Sequence, residues 1–176
     1  MVESPQTKIT IDDSIRWLHE VCDQGQIVNT REDNDTIGIS RVTSHPSPID
    51  GMCGVSLVDR ETGKRLAIAS FDINREANLM EIMNTPQGAP INSLPHDLRS
   101  RFVREGYSFR VNLIDDMVML ARNAVLSGLS AIGAPNHHKV TSGAITLQRG
   151  IEIIDRPLTE CGFRKTPDNN FLYLFE

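Results

Sequence analysis

The sequence contains few cysteines and no long apolar run. Only three cysteines (Cys22, Cys53 and Cys161) occur in 176 residues, and no two of them form a Cys-x-x-Cys pair. A small, odd number of scattered cysteines argues against a disulfide framework and favours a reducing compartment. No apolar run approaches the ~20 residues of a membrane helix, and the first residues lack a signal-peptide pattern. We therefore expect a soluble chain without a membrane span, in the cytoplasm of its producer or, for a secreted effector, of a host.

The sequence also lacks a concentrated basic stripe, the feature expected of a nucleic-acid binder. Its net charge is −5, and acidic and basic residues are interspersed. The densest basic cluster consists of Arg99, Arg101, Arg104 and Arg110. This cluster fits either a solvated loop or helix face, or a site for an anionic ligand. We expect no nucleic-acid partner.

The first half of the chain predicts a helix followed by strands. With 176 residues, residues 1–176 fit a single domain, which buries roughly 70% of its unfolded surface. Apolar residues at helical spacing predict a helix over residues 12–23, capped by Thr10 or Asp12 and ended by Gly25. The pattern then alternates, which predicts an antiparallel meander. Its strands are residues 36–42, 54–59, 65–73 and 77–83.

A loop and a long helix are predicted next. Pro86, Pro90 and Pro95 interrupt any regular element, so residues 85–105 are predicted to form a long loop or insertion. Residues 111–126 carry two adjacent apolar seams, which predicts a long, mostly buried helix packed against a sheet. Gly128 is a natural C-cap for this helix, and a short strand is predicted over residues 130–134.

The C-terminal part leaves one alternative open. Residues 144–154 fit either a hairpin or a helical seam. Asp155 can cap a short helix through Cys161 that Gly162 ends, and a pair of strands over residues 163–165 and 171–175 follows. The predicted fold class is α/β (α+β), a mixed, largely antiparallel sheet with a long central helix.

This order of elements, together with two short stretches, resembles the GNAT-type N-acetyltransferase superfamily. The stretches are LTECGFRKT at residues 158–166, followed by FLYL at 171–174, and ARNAVLSG at residues 121–128. The resemblance implies a GNAT-like fold, with acetyl-CoA or another acyl-CoA as donor substrate. It also implies an acyltransferase that moves the acyl group to the amine of a small molecule or protein. No metal is implied.

The resemblance also implies a donor site at the start of the central helix. Members of the superfamily hold the donor pyrophosphate there on backbone N–H groups and the helix N-terminus. The corresponding place in this chain has a glycine, a hydroxyl and an arginine, within Gly106, Tyr107, Ser108, Phe109 and Arg110. Asn136, in the loop after the next strand, is expected to edge the donor or acceptor channel.

Two residues are the candidates for proton transfer. Glu81 is the only acid of residues 79–83, and it is the candidate base because burial in a strand raises the pKa of a carboxylate. The other interpretation of Glu81 is an outward-facing strand residue. Many relatives have a tyrosine four residues before the Gly-Phe pair, where this chain has Leu158. Tyr107 and Tyr173 are its only tyrosines, and Tyr173 is the candidate catalytic one.

Two other classes of function fit the residues present. Cys53 and His137 or His138 supply the groups of a Cys–His hydrolase or deamidase. Cys53 opens a predicted strand, however, which favours the interpretation of a buried structural cysteine. His137 and His138 lack metal-ligand spacing and are predicted to lie in an exposed turn near a cleft. The third class is a non-catalytic GNAT-like module that binds a protein through the loop of residues 85–104.

Overall fold

The computed structural model describes residues 9–25, 27–30, 39–46, 51, 53–59, 63, 65–88, 96 and 109–176. The helices are α1 (Ile11–Gln24), α2 (Phe109–Asn123), α3 (His138–Thr141), α4 (Leu147–Gly150) and α5 (Arg156–Glu160). The strands are β1 (Ile27–Thr30), β2 (Ile39–Pro46), β3 (Cys53–Asp59), β4 (Arg65–Asn74), β5 (Leu79–Gly88), β6 (Gly128–Ala131), β7 (Arg164–Lys165) and β8 (Phe171–Leu174). A 3₁₀ turn covers Ala134–Asn136, and a π-helical turn covers Ile151–Asp155.

The described strands form one mixed sheet in the order β1-β2-β3-β4-β5-β6-β8-β7. Every neighbouring pair is antiparallel except β5 and β6, which run parallel. A parallel pair requires a crossover, and α2 lies on that connection, packed against β5 and β6. The predicted fold class, a mixed and largely antiparallel sheet with a long central helix, is confirmed.

Helix α1 begins and ends at residues that the sequence indicated. The Thr10 hydroxyl accepts from the Asp13 N–H, and the Asp13 carboxylate accepts from the Thr10 N–H, which together form a capping box. Gly25 ends the helix in the left-handed conformation, with φ 60°. The buried side of the helix, including Leu18 and Cys22, packs on β2 and β3. Of the two predicted caps, Thr10 is therefore the correct one.

Strand β5 extends beyond its predicted end. It continues through Pro86 to Gly88, so the first four residues of the predicted loop belong to the sheet. The ladder with β4 shifts between the pairs Ser70↔Asn84 and Ile68↔Gln87, and Pro86 falls inside this irregularity. A proline is tolerated at a bulge because the ladder does not need its missing N–H there. Apart from His96, the predicted loop beyond Gly88 lies outside the described residues.

Helix α2 is the predicted long, mostly buried helix. It covers Phe109–Asn123, and Leu113, Met117 and Leu120 are among the side chains it buries against the sheet. Its end differs from the prediction, because Val125 takes the left-handed conformation with φ 58°. Gly128 instead begins β6, where an added Cβ would collide with the carbonyl oxygen of Tyr173. Gly128 is thus required by a close approach of strands and not by a helix cap.

Residues 147–160 are helical throughout, so the hairpin interpretation of this segment is wrong. Thr146 caps α4, with its hydroxyl accepting from the Arg149 N–H at 3.2 Å. The π-helical turn continues directly into α5, and Arg156 keeps right-handed helical angles. Pro157, which has no N–H, follows the π turn, where the regular backbone hydrogen bonding of an α-helix is already interrupted. Asp155 makes no side-chain cap to α5.

A disulfide joins helix α1 to the sheet. The sulfur atoms of Cys22 and Cys53 are bonded, and the two Cα atoms lie 6.1 Å apart, within the usual range for a disulfide. This pair differs from the expectation drawn from the cysteine count. Residues 31 positions apart in the chain meet here because α1 folds back across β3.

No helix within the described ranges combines the length and hydropathy needed to cross a bilayer.

Candidate functional site

The parallel strands β5 and β6 separate after a short paired stretch. Their register runs from Leu79↔Gly128 to Ile82↔Ala131. Strand β6 ends at Ala131, and its chain turns into the Ala134–Asn136 3₁₀ segment, whereas β5 continues to Gly88. The two strands therefore part at their carboxyl ends. This is the place in a sheet with parallel strands where ligands commonly bind.

A small gap lies at the point where these strands part. Its walls are Ile82 and Met83 of β5, Ala131 and Ile132 at the end of β6, Ile114 of α2, Leu158 of α5, and His137. Its volume of about 10 Å³ corresponds to about one water position. Met83 and Ile132 are 37% and 47% exposed, so the gap opens towards solvent at these two side chains.

His137 is the polar member of the described gap lining. Its side chain is 4% exposed, and its Nδ1 accepts the Lys139 N–H at 3.2 Å, which caps α3. Burial, and then the charges of His138 and Lys139, hold the pKa of His137 below its ordinary value of 6.5. The ring is therefore neutral at pH 7, and the bond accepted at Nδ1 assigns the ring proton to Nε2. The prediction of an exposed turn is wrong for His137, which is buried. His138 is exposed, as predicted, but it begins α3 and does not lie in a turn.

Asp155 fixes the turn that carries His137. Its Oδ1 accepts from the Ala134 N–H at 2.7 Å, and its Oδ2 accepts from Lys165 Nζ at 3.1 Å. Gly133 lies so close to the next loop that an added Cβ would collide with the Asn169 carbonyl oxygen. Asp155, predicted to cap α5, thus holds the start of the 3₁₀ segment and ties it to β7. The position of the His137 ring depends on these long-range contacts.

The predicted donor residues lie partly outside the described residues. Gly106, Tyr107 and Ser108 are outside, whereas Phe109 and Arg110 begin α2. The guanidinium of Arg110 stacks over the Phe109 ring at 4.4 Å. Burial, and then the nearby charge of Arg149, lower the pKa of Arg110.

This end of α2 lies at the gap, because Ile114, in the second turn of the helix, lines it. The N-terminus of a helix carries partial positive charge, and Arg110 and Arg149 add two cations near it. Arg149 also pairs with Glu152 at 3.0 Å. The arrangement can accept an anion beside the gap.

Asn136, the other predicted cofactor residue, holds a loop in place. Its Nδ2 donates to the Asp168 carbonyl oxygen at 2.7 Å and to Asn170 Oδ1 at 3.1 Å. The side chain is exposed and adjoins His137 in the chain. Its amide group therefore joins the 3₁₀ segment to the β7–β8 connection.

Glu81 and Tyr173, the two predicted catalytic residues, lie on opposite faces of the sheet. Glu81 pairs with Ser130, whereas Tyr173 pairs with the adjacent Leu129. Glu81 Oε1 accepts from Asn74 Nδ2 at 2.8 Å. Asn74 pairs with Leu79, so this bond draws the carboxylate towards the end of β5 that is remote from the gap.

Tyr173 packs in an aromatic group beyond the gap. Its ring lies 5.3 Å from that of Phe163 and 5.7 Å from that of Phe175, between ring centroids. It lines a separate groove with Arg122 and Arg164. Neither Glu81 nor Tyr173 is among the residues that line the gap. The structure does not bring the two predicted catalytic side chains together.

Cys53 is buried beneath α1. Its sulfur is bonded to Cys22 and lies 3.9 Å from the Leu18 carbonyl oxygen. Neither of these two contacts supplies the histidine that the Cys–His hydrolase interpretation requires.

In the part of the chain that the structure describes, no group of three or more acidic, cysteine or histidine side chains could hold a metal ion.

No protein-family model matches this chain, and no curated protein matches it significantly. The gap between β5 and β6 is therefore the feature on which a functional inference has to rest. Sequence reasoning assigned Arg110 to a donor site and expected His137 in an exposed turn near a cleft, but it did not predict that the His137 ring is buried. The pair of histidines after a predicted strand was the available signal, and its turn-like surroundings concealed that one ring is buried.

Proposed function

We propose that this protein is an acyltransferase that moves an acyl group from an acyl-CoA-type donor to the amine of a small molecule or protein. The observation that carries the proposal is the separation of β5 from β6 beside the start of α2. Strand ends that part next to a positively charged helix start are the kind of place where an extended ligand with an anionic end binds. An acyl-CoA has this form, because a thioester and an amide-containing arm are joined to a pyrophosphate.

The amide-containing arm fits the opened strand edge. Beyond Ile82, strand β5 has no register partner in β6 among the described residues. Exposed N–H and C=O groups at such an edge can bind the amides of an extended ligand as they would bind a peptide strand. The pyrophosphate then lies towards Arg110, with Arg149 nearby.

The transfer requires an amine to attack the thioester carbon. A C–N bond forms, the C–S bond breaks, the amine loses a proton to a base, and the CoA thiolate gains one. Glu81 and Tyr173 remain the sequence-based candidates for these proton transfers. Their positions away from the gap do not favour them.

No observation favours the hydrolase, because the Cys53 sulfur is bonded to Cys22. Loss of activity in Cys53→Ala without any response to CoA esters would point to the hydrolase instead. A non-catalytic binding module would be indicated if no CoA ester binds.

Binding of acetyl-CoA tests the proposal directly. At a ligand concentration 100 times Kd, the expected stabilisation is about 2.7 kcal/mol, which raises Tm by roughly 5–10 °C. Thermal shift and calorimetric titration should both report it for acetyl-CoA, with ATP as the control anion.

A matched pair of arginine variants locates the donor. Arg110 and Arg122 lie at opposite ends of α2, and each guanidinium stacks on a phenylalanine, at 4.4 Å and 5.0 Å respectively. Arg110→Ala should weaken acetyl-CoA binding about 10-fold or more, since a hydrogen bond to a charged group contributes about 1.5–3 kcal/mol. Arg122→Ala should leave binding unchanged. The absence of a shift with acetyl-CoA and with longer acyl-CoA esters would refute the transferase.

A further inference from the structure

A notch interrupts the edge of the sheet beside β8. Strand β8 pairs with β6 along its full length of 4 residues, but with β7 only through Phe171 and Leu172. Before β7 the chain bends away from β8, because the Gly162 N–H donates to the Thr159 carbonyl oxygen of α5 at 3.0 Å. Among the described residues, no strand therefore covers residues 173–175 on the side away from β6. This uncovered edge is the notch.

The backbone of Leu174 faces the notch. The next residue, Phe175, donates its N–H to the Ser127 carbonyl oxygen at 3.0 Å, on the β6 side. Successive residues of a strand direct their N–H and C=O groups to alternate sides, so those of Leu174 point away from β6. Leu174 is also 59% exposed. An N–H and a C=O presented in this way at a sheet edge are a template for another extended chain.

Side chains from both faces of the sheet line the groove that follows the notch. Tyr173 and Phe175 lie on one face, and Leu172 and Leu174 lie on the other. An added strand would direct its own side chains alternately towards these two groups. The groove has a volume of about 920 Å³, which lies within the range of roughly 300–1,000 Å³ that is usual for ligand sites. The notch therefore has room for a short extended segment.

The charges along the groove are mainly positive. Arg122 at the end of α2 and Arg164 of β7 line it, and neither has an ion-pair partner among the described residues. Lys165 also lines it, with its charge partly balanced by Asp155 at 3.1 Å. Glu176 is the only acid among the described lining residues. The chain as a whole has a net charge of −5, so this surface differs in sign from the protein that carries it.

This charge decides which kind of extended segment fits. Positively charged residues on an edge strand discourage pairing between two copies of the same edge, because like charges then face each other. An acidic segment is attracted by the same residues. Charge complementarity therefore favours an acidic partner over a second copy of this chain.

We propose that the notch binds an extended, acidic segment of a partner protein. The segment adds to the sheet as a strand beside Leu174, exchanging backbone hydrogen bonds with it, and its carboxylates lie near Arg122 and Arg164. The proposal does not rest on the acyltransferase, because in the described part of the chain no residue lines both the groove and the gap. A protein that failed to bind any CoA ester could still bind such a segment.

Binding of a short, fluorescein-labelled peptide of alternating glutamate and valine, followed by fluorescence anisotropy, tests the charge. A peptide of alternating lysine and valine should not bind. Arg164→Glu should weaken binding of the acidic peptide about 10-fold, because an exposed attraction is replaced by a repulsion. Arg16→Glu is the matched control, since Arg16 is an exposed arginine of α1 that pairs only with Asp13, at 3.5 Å. It should bind the peptide as the wild type does.

Hydrogen exchange followed by NMR tests the strand pairing. The Leu174 N–H should exchange rapidly in the free protein. At a peptide concentration about ten times Kd, its exchange should slow about 10-fold, in proportion to the bound fraction. The Phe175 N–H, which is bonded to Ser127, should be protected with and without peptide. The acidic peptide N-methylated at every residue keeps its charges but has no N–H donor, and it should neither bind nor protect Leu174.

Several results would overturn the proposal. These are an acidic peptide that does not bind, an N-methylated or lysine peptide that binds equally well, and an unchanged exchange rate at Leu174. A molecular mass that rises with protein concentration and protects Leu174 without peptide would show that a second copy occupies the notch. Binding of oligothymidylate in place of the acidic peptide would make the groove a nucleic-acid site. If Arg164→Glu does not fold, sodium chloride added to the wild type decides, because screening should weaken binding of the acidic peptide and unchanged affinity would overturn the role of charge.

Discussion

At the scale of single residues, the burial of His137 makes the stability of the fold sensitive to mild acid. Burial, followed by the charges of His138 and Lys139, lowers the pKa of His137 from its ordinary value of 6.5. Below that pH the unfolded chain takes up a proton that the folded chain resists, so the unfolded state is favoured. The loss of stability begins as the pH falls below about 6.5 and ends below the pKa of the folded state.

We therefore expect the free energy of unfolding to fall between pH 7 and pH 5, and to fall less in His137→Asn. Urea unfolding at several pH values measures this dependence. His19→Gln, which changes an exposed histidine on α1, is the control and should retain the wild-type dependence. Equal pH dependence in the wild type and His137→Asn would show that the buried ring is not responsible.

Three exposed carboxylates also have lowered pKa values. Hydrogen bonds from Thr10, Arg149 and Thr166 are the largest causes of the lowered pKa values of Asp13, Glu152 and Asp168. The stability contributed by a carboxylate of this kind is present above its ordinary pKa and is lost as the pH falls through the lowered value. The ordinary values are 3.8 for Asp13 and Asp168 and 4.5 for Glu152, so this loss begins at a lower pH than the loss due to His137, which begins below about 6.5.

At the scale of elements, the shape of the gap depends on how closely β6 approaches β8. Gly128 begins β6 and faces the backbone of β8, where a Cβ would collide with the Tyr173 carbonyl oxygen. A backbone atom cannot move aside as a flexible side chain can. Any larger residue at position 128 must therefore push the two strands apart.

Gly128→Ala should destabilise the fold by about 3 kcal/mol, the upper part of the usual range for overpacking. Gly143→Ala is the control, because Gly143 has φ +76° and no atom within 4 Å of an added Cβ. It should cost only the conformational penalty of about 1–2 kcal/mol. Chemical denaturation of both variants gives the comparison, and equal losses would contradict the proposed close approach.

At the scale of the whole molecule, the Cys22–Cys53 bond ties α1 to the sheet across 31 positions of the chain. A cross-link of this length reduces the freedom of the unfolded chain, which in the loop-entropy account stabilises the fold by about 2–4 kcal/mol. We expect the oxidised protein to unfold at a higher denaturant concentration than the reduced protein by a corresponding amount.

Thiol titration in denaturant provides the independent check on this bond. The oxidised protein should yield a single reactive thiol, that of Cys161, and the reduced protein should yield all three. The double variant Cys22→Ser/Cys53→Ser should be unaffected by reductant, whereas Cys161→Ser should respond like the wild type. Three reactive thiols in protein purified without reductant would show that the bond does not form.

The sequence by itself determined the elements whose signals are local. The cap at Thr10 or Asp12, the apolar seams of α2 and the alternating pattern of β3 and β4 each depend on residues a few positions apart. The structure has these elements within a few residues of their predicted bounds, with Thr10 as the cap. The Gly162 turn and the strand pair that follows it also carry their own signals. The mixed sheet with its long central helix could be predicted for this reason.

Only the tertiary structure decided the features that depend on distant residues. Strand register placed Glu81 and Tyr173 on opposite faces, and a bulge against β4 accepted Pro86 into β5. The fold of α1 across β3 brought Cys22 to Cys53. The turn held by Asp155 and the walls of the gap bury His137, and this burial lowers its pKa. Burial and strand register arise between residues that meet only when the chain has folded, so no local pattern could encode them.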